Sequence, residues 1–353
     1  MNFQEETKDA IALLQQMIAI PSFSKEEKLV ADFLEKYMEI KGYVAIRDKN
    51  NVWMLSPGFD ASRTTVLLNS HIDTVKPVSG WVRDAFTPII ENEKLFGLGS
   101  NDAGASVVSL LHAFFYLSQK EQSYNLIFAA SSEEEISGKN GMGSLLAELP
   151  KIDFAIVGEP TQMNLAVAEK GLMVLDCVSI GTAGHAARNE GDNAIYKALK
   201  DIEWFKNYEF EKKTDLLGPV KMSVTQINAG TQHNVVPDKC TFVVDIRSNE
   251  MYSNQEILDE IRKKVGCDIQ ARSTRLSSTA TPLDHPIVLR ANKLNRKLFG
   301  SPTLSDQSLM NFPSVKIGPG ESSRSHTADE FIRLDEINEA IEIYIQLLDG
   351  LKL

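Results

Sequence analysis

The sequence predicts an α/β protein with a central, mostly parallel sheet, interrupted by an inserted α+β domain. Two observations lead to this prediction. Short apolar, β-branched runs alternate with amphipathic helical segments, as in parallel sheets that are covered on both faces. Between about residues 165 and 279, the order instead becomes strand, helix, strand, strand, helix, strand, which is typical of a split βαβ, ferredoxin-like sandwich.

The chain begins with two predicted amphipathic helices. The first has an apolar face over residues 11–18 and ends before Pro21. Ser24 and Glu27 have the spacing of a capping box for the second helix, whose apolar face covers residues 29–38. Two short strands are expected next, at residues 44–47 and 52–55.

Four later apolar runs end on residues that can bind a metal or carry a proton. The predicted strand at residues 64–68 leads to Asn69-Ser70-His71-Ile72-Asp73. The predicted strands at residues 124–130, 154–157 and 315–317 lead to Glu133-Glu134-Glu135, to Glu159 and to His326. Because ligands of open α/β sheets bind outside the carboxyl ends of the strands, we expect these side chains to share one site.

Each of these residues also has an ordinary structural interpretation. His71 and Asp73 could form a simple polar pair at a strand end, and three consecutive glutamates are usually a solvated face. Asp102 lies at the start of a helix predicted over residues 103–118, where aspartate is a good N-cap. A capping carboxylate still has oxygens available for a metal, and the agreement of four strand ends favours a site.

The donor set suits two divalent ions. Such ions, about 3.5–4 Å apart, need a bridging carboxylate, terminal ligands on each ion and a water between them. Mixed nitrogen and oxygen donors suit zinc or a similar ion. The candidate ligands are His71, Asp102, Glu135, Glu159 and His326. Glu134 remains to take a proton from the water, and Asp73 can fix the tautomer of His71.

The inserted domain has its expected boundaries near Thr161-Gln162 and Ser277-Ser278-Thr279. Residues 1–163 and 281–353 then form the metal-binding domain, and residues 164–280 form the insertion. Within the insertion, strands are expected at residues 166–180, 220–228, 239–246 and 268–276, and helices at 193–205 and 254–265. Helices at residues 286–298 and 334–348 return the chain to the first domain.

Composition excludes several classes of partner. With 37 basic and 48 acidic residues the net charge is −11, which argues against nucleic acid or an anionic membrane. The N-terminus lacks the pattern of a secretory signal, and no run approaches the roughly 20 apolar residues of a membrane span. Cys177, Cys240 and Cys267 are odd in number and widely spaced, which is typical of free thiols in a cytoplasmic protein.

Several motifs, in the same order along nearly the whole chain, resemble the M20 family of metallopeptidases. Within it, they resemble the branch of acetylornithine deacetylase and succinyl-diaminopimelate desuccinylase. The motifs are His71-Ile72-Asp73-Thr74-Val75, Gly80-Trp81-Val82-Arg83-Asp84-Ala85-Phe86-Thr87, Lys94-Leu95-Phe96-Gly97-Leu98-Gly99-Ser100-Asn101-Asp102, Ser132-Glu133-Glu134-Glu135, Val157-Gly158-Glu159-Pro160-Thr161, Gly184-His185, Asn234-Val235-Val236-Pro237, Gly318-Pro319-Gly320 and His326-Thr327-Ala328-Asp329-Glu330-Phe331.

The resemblance implies a zinc-peptidase-like catalytic domain with two zinc ions, or cobalt in their place. It implies that His71 and Glu159 hold one ion, that Glu135 and His326 hold the other, and that Asp102 bridges them. It further implies that Asp73 orients His71, that Glu134 is the general base, and that the insertion is a lid through which the chain forms a homodimer.

His185 of the lid would reach the partner subunit's active site and stabilise the oxyanion, and Asn234 and Arg247 match substrate-contacting positions. The planar fork of Arg247 suits a carboxylate, although a surface arginine is the simpler alternative.

The resemblance implies hydrolysis of an N2-acyl amino acid, first N-acetylornithine of arginine biosynthesis. N-acetylcitrulline, N-succinylornithine, N-succinyl-diaminopimelate and small peptides remain open. A non-enzymatic binding module is the alternative class, and the presence of all five ligands and Glu134 argues against it. Asp102-Ala103-Gly104 departs from the usual Asp-Met-Lys-Gly, and Ser305-Asp306-Gln307-Ser308 lacks the usual arginine, so the acyl group stays open. His233, beside Asn234, is a further candidate for substrate contact.

Overall fold

The structure is a computed structural model that describes residues 3–188 and 190–353. Two compact units can be separated in it. Unit 1 comprises the described residues of Met1–Val167, Thr281–Phe299 and Ser305–Leu353. Unit 2 comprises the described residues of Ala168–Ala280 and Gly300–Leu304.

Helices and strands alternate through unit 1, whereas strands dominate unit 2. The α-helices are α1 Gln4–Ile18, α2 Lys28–Ile40, α3 Ala105–Ser118, α4 Met142–Glu148, α5 Ala194–Asn207, α6 Asn254–Arg262, α7 Pro286–Lys293 and α8 Leu334–Leu348. The strands are β1 Ile46–Asp48, β2 Asn51–Leu55, β3 Thr65–His71, β4 Ile89–Glu91, β5 Lys94–Phe96, β6 Asn125–Ser131, β7 Phe154–Val157, β8 Leu165–Glu169, β9 Gly171–Ile180, β10 Gly184–His185, β11 Lys221–Ala229, β12 Val235–Val236, β13 Lys239–Ser248, β14 Asp268–Ala271, β15 Thr279–Ala280, β16 Leu298–Ser301, β17 Ser314–Lys316 and β18 Phe331–Arg333.

The main sheet of unit 1 has the strand order β1-β2-β6-β3-β7-β17-β8. Its four middle strands, β6, β3, β7 and β17, are parallel to one another, and antiparallel strands flank them. Every residue of β3, β6 and β7 is buried, which is why each strand contains an uninterrupted apolar run, at residues 66–68, 126–130 and 154–157. The predicted α/β class with a central, mostly parallel sheet is therefore confirmed.

Both faces of this sheet are covered. On one face, α3 packs against β3 and against α8, and 12 of the residues in α3 are buried, so this helix is apolar all round rather than amphipathic. On the other face lies an apolar cluster that includes Trp53, Leu67, Ile127 and Leu145. Because β3, β6, β7 and β17 are parallel, the segments that come after them all leave the sheet at the same edge.

Unit 2 contains a four-stranded antiparallel sheet in the order β11-β13-β9-β14. Buried and partly exposed residues alternate along β9 and β13, as expected for strands with one face on a core. Residues of α5 and α6, including Phe205 and Ile257, complete that core. The order β9, α5, β11, β13, α6, β14 is the predicted strand, helix, strand, strand, helix, strand succession.

Three predicted elements differ from the structure. The single strand expected at residues 166–180 is two strands, β8 and β9, which are separated at Lys170 because they pair with different strands. The strand expected at residues 268–276 ends at Ala271, and the helix expected at residues 286–298 ends at Lys293. Among the described residues, no helix is both long and apolar enough to cross a membrane.

Candidate metal centre

The five predicted metal ligands lie close together in unit 1. Nε2 of His71 is 3.1 Å from Oδ1 of Asp102 and 3.8 Å from Oε1 of Glu159. Nε2 of His326 is 2.9 Å from Oε2 of Glu135 and 3.7 Å from Oδ2 of Asp102. Asp102 thus directs one carboxylate oxygen toward each imidazole, which is the arrangement that a bridging carboxylate requires.

Beyond the carboxyl ends of the parallel strands, several ligand atoms lie close enough together to bind the same metal ion. Two groups of three residues offer ligand atoms within 4.8 Å of one another: His71, Glu134 and Glu159, and His71, Asp102 and Glu135. Four carboxylates and two imidazoles share the site, so negative charge is in excess. Divalent cations held by nitrogen and oxygen donors would offset that charge, and the residues present therefore fit the two ions that the sequence implied.

His71 is the last residue of β3 and is buried. Its Nδ1 lies 2.9 Å from the backbone carbonyl oxygen of Asp73, which can only accept, so Nδ1 carries the proton. In the metal-free chain Nε2 donates to Asp102 at 3.1 Å, and although burial acts to lower the pKa of His71, the hydrogen bonds to Asp102 and Asp73 raise it well above its usual range. When a metal displaces the proton on Nε2, the lone pair of Nε2 faces Asp102 and Glu159 while Nδ1 keeps its proton. This is the tautomer that a metal-binding histidine needs.

The carboxylate of Asp73 also bonds to residues other than His71. Its oxygens lie 3.5 Å or more from the His71 ring, but they accept hydrogen bonds from the backbone N–H of Glu134 at 3.0 Å and of Glu135 at 3.1 Å. The hydroxyl of Ser24 donates a third bond, at 2.7 Å. Ser24 is therefore not part of a capping box as predicted, because its hydroxyl is engaged with Asp73 and α2 begins at Lys28 without a side-chain cap.

The acidic run Glu133-Glu134-Glu135 is not a solvated face. Glu133 is 5% exposed, adopts a left-handed backbone with φ of 55° and bonds to Asn140, while its own N–H donates to the buried carboxylate of Glu27. This conformation costs about 1–2 kcal/mol for a residue with a side chain, so the surrounding bonds must hold it. It turns Glu134 and Glu135 back toward the ends of β3 and β7.

Asp102 is not the N-cap of the following helix. The helix α3 begins at Ala105, and the residue before it is Gly104. Asp102 and Ala103 instead lie in an irregular turn with non-helical backbone angles, joined by a cis peptide bond. The Asp102 carboxylate therefore has no capping role and faces His71 and His326.

Burial dominates the protonation of the carboxylates. It raises the pKa of Glu159 to about 8, where His71 opposes the shift and Asp102 adds to it. Burial likewise raises the pKa of Glu134 well above its usual range, against the opposing charge of His71. The pKa of Asp102 is lowered instead: burial acts to raise it, but the hydrogen bond and charge of His71, the hydrogen bond of Ser325 and the charge of His326 lower it. Burial therefore favours the protonated forms of Glu134 and Glu159 in the metal-free chain, and metal binding has to displace those protons.

The remaining predicted residues belong to unit 2. His185 lies in β10, which pairs with β12, and the N–H of Ala186 donates to the carbonyl oxygen of Asn234 at 3.0 Å. Nδ1 of His185 accepts the N–H of Ala187 at 3.1 Å, so the neutral ring carries its proton on Nε2, as an oxyanion donor would. The fork of Arg247 bonds both carboxylate oxygens of Asp245, two residues earlier, at 2.9 and 3.1 Å.

The residues whose roles the sequence left open differ in exposure, and two further residues bond to the site. Gln307 and Asp306 are buried, whereas His233 is exposed. Ser24 and Glu330, which bond to Asp73 and to the turn of Asp102, were not predicted to serve the site. Glu330 lies in the motif that begins with His326, and this position was the only sequence signal for it.

Comparisons with known proteins concern the family and the fold of the chain. The model of "Peptidase family M20/M25/M40" matches residues 67–350. A putative succinyl-diaminopimelate desuccinylase DapE of Mycobacterium tuberculosis is 29% identical over 97% of this chain and 98% of its own. A [LysW]-lysine/[LysW]-ornithine hydrolase of Saccharolobus solfataricus is 27% identical over 96% of this chain and 95% of its own. The Bacillus subtilis YXEP protein, a dinuclear metal-binding M20 peptidase, has the same fold, with a TM-score of 0.74 at 15% identity over 98% of both chains.

Proposed function

Because the chain belongs to peptidase family M20/M25/M40 and is thus a hydrolase, we propose that it is a dinuclear-metal enzyme that removes the acyl group from an N2-acyl amino acid. The observation that carries the proposal is the position of Asp102, with one oxygen toward His71 and the other toward His326. His71 and Glu159 would hold one ion, Glu135 and His326 the other, and zinc suits these donors.

The bound ions and the residues of the chain would carry out different parts of the reaction. When bound, the two ions lower the pKa of a water and polarise the acyl carbonyl. Glu134 takes the proton of the attacking water and passes it to the leaving amine. Burial raises the pKa of Glu134 well above its usual range in the metal-free chain. The charge of the two ions would oppose that shift, so that the carboxylate could accept a proton and then donate it. The backbone N–H groups of Glu134 and Glu135 donate to the Asp73 carboxylate, and these bonds fix the backbone of both glutamates while the proton moves.

We also propose that the chain acts as a homodimer through unit 2. His185 is exposed in unit 2, and its protonated Nε2 is available to donate to an oxyanion in the partner subunit's site. Such a donor is typically worth about 3–4 kcal/mol of transition-state stabilisation. Asn234, whose backbone bonds next to His185, and Arg247 are the proposed substrate contacts. Asp245 already occupies the Arg247 fork, so a substrate carboxylate has to compete with it.

The first proposed substrate is N2-acetylornithine, in cytoplasmic arginine biosynthesis. A second candidate, N-succinyl-diaminopimelate, is favoured by the name of the 29% identical relative. In both substrates the amide to be cleaved is on an α-amine. The succinyl group carries a free carboxylate, whereas the acetyl group carries none. Few side chains decide between such substrates, so the choice requires an assay.

The test is a substrate panel with the zinc-loaded and cobalt-loaded chain. The panel contains N2-acetylornithine, N-acetylcitrulline, N-succinylornithine, N-succinyl-diaminopimelate, a dipeptide and a tripeptide, and the readout is release of the primary amine. We expect the highest kcat/KM for one N2-acyl amino acid and none after chelation. The Glu134→Gln variant controls for contaminating hydrolases. Turnover of peptides alone would overturn the acyl-amino-acid proposal and leave the family assignment intact.

A further inference from the structure

We propose that Glu330 is a positioning residue that presets the spacing between Asp102 and His326 before metal binds. This inference rests on the proposed dinuclear site and concerns how the chain prepares it. Both ligands lie on irregular segments of unit 1, which the sheet does not hold directly. Glu330 lies four residues after His326 and bonds to the turn that carries Asp102.

The carboxylate of Glu330 accepts hydrogen bonds from three backbone N–H groups of that turn. Oε1 accepts the backbone N–H of Asn101 at 2.7 Å and of Asp102 at 2.9 Å, and Oε2 accepts the N–H of Gly99 at 3.1 Å. Its side chain is 2% exposed, so these bonds are shielded from water. Hydrogen bonds from N–H groups to a carboxylate are short and strong, and a buried set of three fixes the backbone from which the Asp102 carboxylate projects.

Asn101 joins the same two segments from the opposite direction. Its Oδ1 accepts the N–H of Glu321 at 3.0 Å, and its Nδ2 donates to the Glu321 carbonyl at 3.1 Å and to the hydroxyl of Ser325 at 3.3 Å. Ser325 immediately precedes His326. The turn of Asp102 and the segment of His326 are therefore bonded to each other on both sides of the ligands.

Two of the other three terminal ligands, His71 and Glu159, need less support. His71 ends β3, and Glu159 comes two residues after β7, so the parallel sheet sets their separation. His326, by contrast, has a left-handed backbone with φ of 58°, which is unfavourable for a residue with a side chain. Asp102 lies in a non-helical turn. Only a tertiary restraint can hold such a pair at a fixed distance, and the Glu330 carboxylate provides one.

Glu330 acts through Asp102 rather than on the ions. Its two oxygens already accept three N–H groups, and its carbonyl accepts the N–H of Gly97 at 3.0 Å. In the Glu330→Gln variant, one acceptor oxygen becomes an NH₂ group that faces backbone N–H donors, with little change of volume. The turn then loses part of its restraint while all five proposed ligands stay in the chain.

The test is calorimetric titration of the chelator-stripped chain with Zn²⁺. We expect the wild type to bind two ions, and we expect Glu330→Gln to bind one of them about 10–100-fold more weakly, as is usual when a residue that orients a metal ligand is changed. Asp329→Asn is the matched control. Asp329 also accepts two backbone N–H groups, from Val82 and Arg83, but these belong to a different segment. We expect this variant to bind both ions with wild-type affinity.

A second measurement needs no substitution. In the metal-free wild type, amide hydrogen exchange in the peptide that contains residues 99–102 should already be slow, because Glu330 accepts those N–H groups. Fast exchange that slows only when Zn²⁺ is added would show that the metal organises the turn, and it would overturn the proposal even if Glu330→Gln fails to fold.

The outcomes separate this inference from the proposed function. If Glu330→Gln binds both ions as tightly as the wild type, the positioning role is wrong and the dinuclear site stands. If the wild type binds two ions but hydrolyses no N-acyl amino acid, the substrate proposal fails. The positioning role of Glu330 is then still tested by comparing the Zn²⁺ affinities of the wild type and of Glu330→Gln. A wild type that binds fewer than two ions contradicts both.

Discussion

Oδ1 of Asp73 accepts a hydrogen bond from the backbone N–H of Glu134 at 3.0 Å, across 61 positions of sequence. The other oxygen of the same carboxylate accepts the N–H of Glu135, and the Asp73 carbonyl oxygen accepts Nδ1–H of His71. One residue therefore fixes the proposed base, one proposed ligand and the tautomer of another. The structure assigns to Asp73 a broader positioning task than orientation of a single histidine.

We expect Asp73→Asn to lower kcat by about 10–100-fold while the chain keeps close to two ions. An asparagine of the same size has only one acceptor oxygen, so either Glu134 or Glu135 loses its backbone partner. Steady-state kinetics with metal analysis checks this. Ser24→Ala is the control, because it removes only the third bond, and it should retain most of the activity. Wild-type kcat in Asp73→Asn would contradict the positioning role.

Chelation should lower the melting temperature. Metal that binds only the folded chain stabilises it, by about 4 kcal/mol for each ion at a free concentration 1,000 times its dissociation constant. His71→Ala and His326→Ala should each lose mainly one ion and show about half of the stabilisation. Metal analysis and thermal unfolding, with and without chelator, measure both quantities. Equal melting temperatures under the two conditions would argue against tightly bound ions.

Two inactive variants should complement each other if His185 acts across a dimer. We expect mixed His185→Ala and Glu134→Ala chains to recover part of the activity, because a mixed dimer contains one site with both groups intact. Subunit exchange has to be verified with differently labelled chains. Each variant mixed with itself is the control. Verified exchange without recovery would place His185 within its own chain's site, or outside the mechanism.

The pH dependence of stability can be tested at a residue away from the metal centre. His112 is buried in α3, where Nδ1–H donates to the carbonyl oxygen of Val108 at 2.8 Å, and burial lowers its pKa. Its folded pKa therefore lies below the unfolded value of about 6.5. The stability that His112 contributes is complete above that unfolded value and is lost as pH falls through the folded pKa.

We accordingly expect His112→Gln to be less stable than the wild type at pH 7.5 and the difference to narrow at pH 5. Both chains are unfolded by urea in the presence of chelator, so that loss of metal at low pH does not contribute. A difference that is constant between the two pH values would show that folding does not lower the pKa of His112.

The apolar pattern of the sequence predicted the bounds of helices and strands well where an apolar run or an amphipathic period ends abruptly. The bounds of β7 and α8 coincide with the expected ones, because an apolar run ends at Val157 and an amphipathic period spans residues 334–348. The proximity of His71, Glu134 and Glu159 also agrees with the sequence pattern, since parallel strands bring the residues beyond their carboxyl ends to one edge of the sheet. Their roles as ligands and base remain predictions.

Tertiary partners explain the features that the sequence could not predict. Ser24 and Glu27 have the spacing of a capping box, but a carboxylate 49 positions away from Ser24 competes for its hydroxyl. Glu330 has three backbone partners more than 220 positions away, and no local pattern encodes such bonds. The break at Lys170 is hidden because both β8 and β9 are apolar, and only their strand pairing distinguishes them.

The proposed mechanism requires that five ligands hold two ions while Glu134 moves the proton. The most direct test compares metal content and kcat in Glu134→Gln and Glu135→Gln with the wild type. We expect Glu134→Gln to keep two ions and its KM while kcat falls by about 10²–10⁴, and Glu135→Gln to lose one ion. If Glu134→Gln loses metal while Glu135→Gln keeps both ions but not turnover, the two roles are exchanged. Normal turnover in both variants would contradict the account.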